Sequence, residues 1–385
     1  MERPLRYAMI GGAIGSFMGP VHRTALGMAG LAVPVSGTFS RNEEKNRKTA
    51  VSIGLAEDKA YPDIEALLAA KDRDGLDFAV IVSRSAYHFE QVKRCFEAGL
   101  PVVCDKPVCA TPEEGRELLR VQEKTGLPCM ITYTYSGYPM LGEARERIRR
   151  GELGDIRVVA VQYQQDWMVR RYERAEDKSF FWRTDPGQAG PSCCVADIGV
   201  HVAYIAKFLT GESIMKLSAG MHSFTEGMPL DDNAFIWTRM GKDGGIRGQY
   251  WCSQIAVGKH NQIRVAVSGS KGSVEWNHVE PDILKLYRVG EPEMILKRND
   301  PVGLSDFSRA RGFLMPLEHP EGTLEAFAAL YRAFCRSLSA KRSGREPDPV
   351  DLYPSLHDGV EGVLFVDRCL ASSHADSAWV DFPSQ

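Results

Sequence analysis

The stretch Tyr7-Ala8-Met9-Ile10-Gly11-Gly12-Ala13-Ile14-Gly15 decides the fold class, because a short apolar run passes directly into a glycine-rich turn. The apolar run predicts a buried strand, and residues 16–28 predict a helix. Glycines between a strand and a helix allow backbone amides to approach an anionic group at the helix N-terminus. The turn departs from G-x-G-x-x-G, since Ala13 and Ser16 occupy the second and third glycine positions. It favours pyrophosphate binding, although a simple tight turn has the same composition.

Strands and helices alternate from residue 6 to residue 133. The segment Phe78-Ala79-Val80-Ile81-Val82 is apolar throughout, as expected for a parallel strand covered on both faces. Gly54 and Gly99 stand where helices are expected to end, and Thr111-Pro112-Glu113-Glu114 predicts a capped helix start. This alternation predicts an α/β fold with a doubly wound parallel sheet.

The pattern changes at about residue 135. A helix is predicted over residues 139–150, and strands separated by glycine-containing turns are predicted over 235–240 and 246–252. Such strands indicate an antiparallel or mixed sheet. We therefore predict two domains: residues 1–134, a dinucleotide-binding Rossmann domain, and residues 135–385, an α+β domain with a large open, mostly antiparallel sheet.

Composition excludes several classes of function. The chain has 385 residues and a formal net charge of −3, with no long run of one sign, so neither nucleic acid nor an anionic membrane is an expected partner. No apolar segment is long enough to cross a bilayer and no signal region is present, so a cytoplasmic location is expected. The nine cysteines lack Cys-x-x-Cys spacing, which favours reduced, buried thiols and no metal site.

The carboxyl ends of the predicted parallel strands carry several candidate ligands for a dinucleotide, because ligands of open α/β sheets bind at that edge. Ser40-Arg41 follows the second strand, and an arginine there accommodates a 2′-phosphate; this slightly favours NADP over NAD, unless Arg41 is a solvated loop cation. Ser83, Ser85 and His88 follow the apolar strand 78–82, and Ser85 is alternatively a helix cap.

Lys106 lies just beyond the apolar run 101–104 and is followed by Pro107, which keeps the backbone of the lysine out of the helical region. An ordinary surface lysine is the alternative. A partly desolvated ammonium at a ligand edge donates hydrogen bonds and shares protons near neutrality.

Asp197 and His201 lie four residues apart at a predicted helix start, so both project from one face. Separately, Asp197 reads equally well as a helix N-cap and His201 as a core histidine. With Lys106, the pair suits proton transfer to or from a hydroxyl group. Trp182-Arg183 precedes the pair and offers an aromatic plane and a cation, with structural packing as the alternative. His319 precedes a helix and is alternatively only a cap.

These motifs resemble those of the Gfo/Idh/MocA family, which includes glucose–fructose oxidoreductase and inositol dehydrogenase, along nearly the whole chain. The family's Glu-Lys-Pro is present as Asp105-Lys106-Pro107, and its Asp-x-x-x-His as Asp197 to His201. Residues 135–139 stand where many members have an arginine-containing segment. Trp182-Arg183 matches a pair that lies against the cofactor in several NADP-using members. The resemblance implies an NAD(P)-dependent oxidoreductase for sugars or cyclitols, whose second domain binds substrate and forms homodimers or homotetramers through the open sheet.

Three sets of candidate residues follow. The expected catalytic residues are Lys106, Asp197 and His201. The expected cofactor-binding residues are Gly11, Gly12, Ala13, Ile14, Gly15, Ser40, Arg41, Ser83, Ser85, His88, Asp105, Lys106, Pro107, Trp182 and Arg183. The expected substrate-binding residues are Lys106, Tyr135, Tyr138, Asp197, His201 and His319.

The expected reaction is reversible oxidation of a secondary alcohol, with His201 as general base and Lys106 stabilising the developing alkoxide. Two alternatives remain open at this point. One is a glycosidase or epimerase that keeps its NAD bound and oxidises a sugar transiently. The other is a non-catalytic dinucleotide-binding regulator, against which the presence of Lys106, Asp197 and His201 together argues.

Overall fold

The computed structural model describes residues 3–172, 184–298, 300, 303–312, 315 and 319–383. They divide into two compact units. The first contains the chain up to Gly137 and most of the later stretch from residue 310 to Val360, and the second contains Tyr138–Arg309 and the chain from Glu361 onward. This differs from the single division predicted near residue 134, because a late segment of the chain folds with the first unit.

The first unit is built on a parallel sheet of five strands in the order β2-β1-β3-β4-β5. This confirms the predicted doubly wound α/β fold. The strands are β1 (Leu5–Gly11), β2 (Ala32–Thr38), β3 (Phe78–Val82), β4 (Val102–Cys104) and β5 (Cys129–Ile131).

Helices connect these strands. Thr111 Oγ1 accepts a hydrogen bond from the backbone N–H of Glu114 at 3.2 Å, so the predicted capped helix start is present. Short 3₁₀ turns lie at Glu57–Lys59, Ser85–Tyr87 and Thr134–Gly137. The helices are α1 (Met18–Ala29), α2 (Glu43–Ser52), α3 (Ile64–Ala69), α4 (Lys71–Asp74), α5 (His88–Glu97) and α6 (Pro112–Thr125).

The second unit is built on a sheet of nine strands in the order β13-β12-β11-β10-β6-β9-β8-β7-β14. Among the described strands of this sheet, only β6 and β9 pair in parallel, so the predicted mostly antiparallel sheet is confirmed. The strands are β6 (Ile156–Gln164), β7 (Ile214–His222), β8 (Asn233–Met240), β9 (Ile246–Ser253), β10 (Gln262–Gly269), β11 (Gly272–Asn277), β12 (Ile283–Arg288), β13 (Met294–Lys297) and β14 (Val380–Asp381).

The remaining helices lie between and after these strands. A π-helical turn, Val195–Gly199, directly precedes α10, and α10 packs against β6. The helices are α7 (Pro139–Arg149), α8 (Trp167–Tyr172), α9 (Pro186–Ala189), α10 (Val200–Thr210), α11 (Asp306–Arg311), α12 (Thr323–Arg342) and α13 (Leu356–His374).

Helix α12 explains why the late segment belongs to the first unit. Phe334 of α12 packs on Phe78 of β3 with ring centroids 5.4 Å apart, and both side chains are fully buried. Tyr331 contacts His22 of α1. An apolar parallel strand requires cover on both faces, and α12 supplies part of that cover for the sheet of the first unit.

Candidate active site

The glycine turn between β1 and α1 has the backbone shape that a dinucleotide pyrophosphate requires. Gly11, Gly12 and Gly15 have φ angles of 84°, 70° and 81°, which side chains disfavour. A Cβ on Gly11 would lie 2.7 Å from the backbone nitrogen of Ser83, whereas a Cβ on Gly15 would meet no atom of the described residues within 4 Å. Because the space beside Gly15 lies open before α1, the residues of the turn fit a bound pyrophosphate.

Gly19 completes the glycine pattern that Ser16 leaves unfinished. A Cβ on Gly19 would collide with the carbonyl oxygen of Gly12, so only glycine allows α1 to approach the turn this closely. Ser16 Oγ accepts a hydrogen bond from the backbone N–H of Gly19 at 3.3 Å. Gly19 lies three residues beyond Ser16, so the spacing of G-x-G-x-x-G does not point to it, whereas a wider spacing would.

Arg41 follows β2 and stacks on an aromatic ring at the same sheet edge. Its guanidinium carbon lies 4.5 Å from the ring centroid of Tyr87, the last residue of the 3₁₀ turn after β3. This cation–π contact holds the guanidinium at the edge where ligands of such sheets bind. Ser40 Oγ accepts from the backbone N–H of Asn42 at 3.2 Å and so shapes the entry to α2.

His88 joins two loops of the sheet edge. Its Nδ1 lies 2.6 Å from the carbonyl oxygen of Pro107, and its Nε2 lies 3.1 Å from that of Ser83. Burial lowers the pKa of His88, against the opposing effect of the bond to Pro107. The ring is 1% exposed. His88 therefore fixes the Pro107 turn relative to the loop after β3, and its predicted contact with the cofactor stays a prediction.

Ser83 and Ser85 have different roles in that loop. Ser83 Oγ donates to Gln91 Oε1 at 2.6 Å. Ser85 opens the 3₁₀ turn, and α5 begins after Tyr87 with no side-chain cap. The alternative reading of Ser85 as a helix cap is therefore wrong.

Asp105 lies in a buried chain of polar groups beneath the same edge. Its Oδ1 accepts from Thr132 Oγ1 at 2.5 Å, and its Oδ2 lies 3.5 Å from His22 Nε2. His22 Nδ1 lies 2.6 Å from the hydroxyl of Tyr331. Burial raises the pKa of Asp105, but attraction to His22 and the hydrogen bond from Thr132 outweigh it, so the net pKa is below its ordinary value. The carboxylate beside Lys106 is therefore held in its charged form.

Lys106 is the second residue after β4, which ends at Cys104. The backbone N–H of Asp105 still donates to Ile81 at 3.0 Å, and the following Lys106–Pro107 peptide is cis. The side chain of Lys106 is half-buried. Lys106 thus lies at the carboxyl edge of the parallel sheet, as predicted, within the same unit as the glycine turn.

In the second unit, Asp197 lies inside the π-helical turn rather than at the N-cap of α10. The backbone N–H of Val200 donates to the carbonyl of Val195, five residues back, which inserts one residue ahead of the regular helix. Capping falls to Asp231, whose two carboxylate oxygens accept from the backbone N–H groups of Cys193 and Val195, each at 2.8 Å. The alternative reading of Asp197 as a simple N-cap is therefore wrong.

The Asp197 carboxylate has an amide partner. Asp197 Oδ2 accepts from Gln254 Nε2 at 3.0 Å. The sequence analysis missed both Gln254 and Asp231 as supports of this segment. Asp231 belongs to the acidic run Asp231-Asp232-Asn233, which is a usable signal, whereas an isolated glutamine after a strand gives none.

His201 lies on α10, is mostly buried, and has Tyr163 of β6 as an aromatic neighbour, with ring centroids 6.1 Å apart. The Tyr163 hydroxyl donates to Asn261 Oδ1 at 2.8 Å. Tyr163 was not predicted as a site residue. The alternation of apolar and polar residues along β6 indicates that its side chain points inward, but does not indicate that it lies beside His201.

The two tyrosines predicted to bind substrate are buried. The Tyr138 hydroxyl lies 3.0 Å from His278 Nε2, and its ring packs on Trp276 at 5.4 Å. Burial lowers the pKa of His278. Tyr135 lies in the 3₁₀ turn Thr134–Gly137. Tyr138 thus has a clear packing role, and substrate contacts of either tyrosine stay predictions.

Three candidate residues remain: Trp182, Arg183 and His319. Trp182 and Arg183 lie outside the described residues. His319 is exposed, and its carbonyl oxygen accepts a hydrogen bond from the buried Arg298. Its role as a substrate ligand also stays a prediction.

Neither a metal site nor a membrane segment is found in the part of the chain that the structure describes. No group of three or more His, Cys, Asp or Glu side chains could hold a metal ion. No described helix has the length and apolar character needed to span a bilayer. All nine cysteines are buried and unbridged, as predicted.

Comparison with known proteins connects both units to one family. Residues 5–133 match the oxidoreductase family with an NAD-binding Rossmann fold, and residues 141–275 match the GFO/IDH/MocA C-terminal domain. The uncharacterized oxidoreductase YfiI of Bacillus subtilis (strain 168) is 33% identical over 388 residues, covering 99% of this chain and 98% of the relative.

A solved structure supports the same family assignment. The crystal structure of an inositol dehydrogenase homolog complexed with NAD⁺, from Azotobacter vinelandii, superposes with a TM-score of 0.90 and is 31% identical over 99% of this chain and 98% of that chain. Levoglucosan dehydrogenase of Pseudarthrobacter phenanthrenivorans is 24% identical over 98% of each chain.

The fold and the glycine turn therefore define the class of protein as an oxidoreductase with an NAD-binding Rossmann domain. Within that class, the chain belongs to the Gfo/Idh/MocA family.

Proposed function

We propose that the protein catalyses the reversible NAD(P)-dependent oxidation of a secondary alcohol in a sugar, glycoside or cyclitol. The observation that carries the proposal is the shared sheet edge of the first unit, where Lys106 follows β4 and the glycine turn follows β1. The relatives named as an inositol dehydrogenase homolog and a levoglucosan dehydrogenase support the substrate class.

In this proposal the dinucleotide lies with its pyrophosphate on the backbone of residues 11–15. When bound, it supplies the acceptor for the hydride that leaves the carbinol carbon. All other roles fall to side chains of the chain itself.

Lys106 donates a hydrogen bond to the substrate oxygen and stabilises its developing negative charge. His201 takes the hydroxyl proton as general base. Asp197 orients the imidazole and stabilises the imidazolium that forms. The carbinol C–H bond and the O–H bond break, and a carbonyl forms.

The cofactor preference is a finer part of the proposal. Arg41 lies at the end of β2, where an acidic residue would favour the ribose hydroxyl of NAD. Stacking on Tyr87 keeps the guanidinium at this edge. We therefore propose that NADP is used at least as well as NAD.

A neutral polyhydroxylated ring fits best, because the candidate substrate residues contain one lysine and no cluster of cations for a phosphate; they are Lys106, Tyr135, Tyr138, Asp197, His201 and His319. The experiment is a screen of myo-inositol, levoglucosan and free sugars with both cofactors, followed by absorbance of the reduced nicotinamide. If only phosphorylated or nucleotide sugars are oxidised, the proposed substrate class is wrong.

We further propose a homodimer or homotetramer formed through the open sheet of the second unit. Phe235 and Trp237 of β8 are about half exposed on one face, and Phe235 stacks on Trp251 of the adjacent strand β9. Light scattering of Trp237→Asp against the unaltered protein is the test, and an unchanged mass would contradict this interface.

A further inference from the structure

Gln254 is a fully buried polar side chain that the mechanism above does not use. It follows β9 directly and is 0% exposed. Its backbone N–H donates to Asp232 at 2.8 Å, and its carbonyl accepts from the N–H of Met168 at 3.2 Å. A buried amide side chain is unfavourable unless its own polar atoms are paired. The hydrogen-bond partners of the Gln254 side chain therefore indicate its role.

Both ends of the side-chain amide are engaged. Nε2 donates to Asp197 Oδ2 at 3.0 Å, and Oε1 accepts from Cys193 Sγ at 3.3 Å. An ionised carboxylate only accepts hydrogen bonds, so the nitrogen has to face Asp197. The amide oxygen then faces the thiol, which is a weak donor. The Asp197 carboxylate thus determines which way the amide of Gln254 points, and the Cys193 thiol pairs the amide oxygen at the other end.

The backbone of the same segment is held by Asp231. Its carboxylate accepts from the N–H groups of Cys193 and Val195, on the turn that carries Asp197. Gln254 holds the side chain of Asp197, while Asp231 holds the backbone that presents it. Two loops that follow different strands therefore fix one carboxylate.

We propose that Gln254, paired at its amide oxygen with the Cys193 thiol, is a positioning residue that keeps the Asp197 carboxylate correctly aimed for its work with His201. This rests on the proposed function, since it assumes that Asp197 and His201 act together in proton transfer. Gln254 itself touches no reacting atom in this scheme.

The contact is tested first without any substrate. A double-mutant cycle of Gln254→Met and Asp197→Ala, measured by urea unfolding, isolates the coupling between the two side chains. We expect the double variant to unfold with an equilibrium constant about tenfold smaller than additivity predicts, as for a hydrogen bond to a charged group. Additive effects would overturn the contact.

The positioning role is tested by turnover of the best alcohol from the screen, with myo-inositol and levoglucosan as first probes. Gln254→Met and Cys193→Ala should each lower kcat about tenfold, as loss of a supporting partner typically does. The KM for the dinucleotide should stay within about twofold. Cys193→Ser restores a donor and should recover most of kcat, and Cys194→Ala, at the equally buried neighbour, serves as the control.

Failure of this inference is distinguishable from failure of the proposed function. Serine at position 193 performing no better than alanine, or unimpaired turnover in Gln254→Met, would overturn the positioning role. If Asp197→Ala retains full turnover, or if no alcohol is oxidised, the proposed function is at fault, and the unfolding cycle still decides the contact.

Discussion

The sheet edge of the first unit and the segment around Asp197 in the second unit are built in different ways. At the sheet edge, consecutive residues place the chemistry: the turn of residues 11–15 follows β1, and Lys106 follows β4. Around Asp197, residues from three parts of the chain are needed, because Gln254 holds the carboxylate and Asp231 holds the turn.

The difference has a physical origin. Parallel strands all end at one edge of a sheet, so the topology itself brings together the residues that follow them. The half-buried carboxylate of Asp197 lies in a helical turn, where no sheet edge positions it, and it is held by a side chain from another part of the chain.

Lys106→Met is expected to have the largest effect on turnover. The loss of a donor that stabilises developing charge typically lowers the rate on the order of a hundredfold or more, while dinucleotide binding should stay within a few-fold. Steady-state rates and a cofactor titration measure both. Near-wild-type rates would remove Lys106 from the mechanism.

His201→Ala should lower the rate about a hundredfold at neutral pH, as expected for loss of a general base. Hydroxide replaces a missing base, so the deficit should shrink at high pH. The pH profile of kcat decides the matter, and an equal deficit at every pH would argue against a role in proton abstraction.

Gly11→Ala tests the packing of the sheet edge. The new Cβ would meet the Ser83 backbone, and φ is 84°, so we expect a loss of about 2 kcal/mol in the free energy of unfolding together with weaker dinucleotide binding. Gly30→Ala is the matched control, since its φ is 69° and no described atom lies within 4 Å of the new Cβ. Equal losses in the two variants would show that the contact with Ser83 is unimportant.

Asp105→Asn tests the buried carboxylate through pH. The pKa of Asp105 is lowered in the folded protein, so its contribution to stability is present above the unfolded value of about 4 and is lost as pH falls below it. We expect Asp105→Asn to destabilise the protein at pH 7 by about 1.5–3 kcal/mol, as for hydrogen bonds to a charged group. The difference from wild type should shrink in acid; a difference that stays constant from pH 7 into the acid range would contradict the assignment.

Arg41→Ala should have the smallest effect. Loss of one guanidinium near a 2′-phosphate should weaken NADP binding roughly tenfold, as for a partly exposed charged contact, and leave NAD binding unchanged. Fluorescence titration with both dinucleotides measures this. A strong NAD preference that Arg41→Ala does not alter would show that Arg41 has no part in cofactor choice.

The sequence predicted the parallel sheet well, because strand, turn and helix are local patterns there. The role of Gly19 could not be predicted from the sequence. It allows α1 to pack against Gly12, and this contact has no local sequence pattern. The packing of α12 on β3 could not be predicted either, because Phe78 and Phe334 lie far apart in the chain.

The Asp197 segment was predicted only as two residues on one helical face. The π-helical turn depends on Asp231 binding the N–H groups of Cys193 and Val195, and Gln254 reaches Asp197 from the end of β9. Hydrogen-bond partners so distant in sequence follow from tertiary packing, which residue spacing does not encode.

The central claim is net oxidation of an alcohol coupled to cofactor reduction. Its most direct test is the stoichiometry of reduced nicotinamide released per mole of ketone formed, measured with wild-type protein and the best alcohol from the screen. The account predicts one mole of NADH or NADPH for each mole of ketone. Product formed without net release of reduced cofactor would contradict it and identify a redox-assisted hydrolase or epimerase.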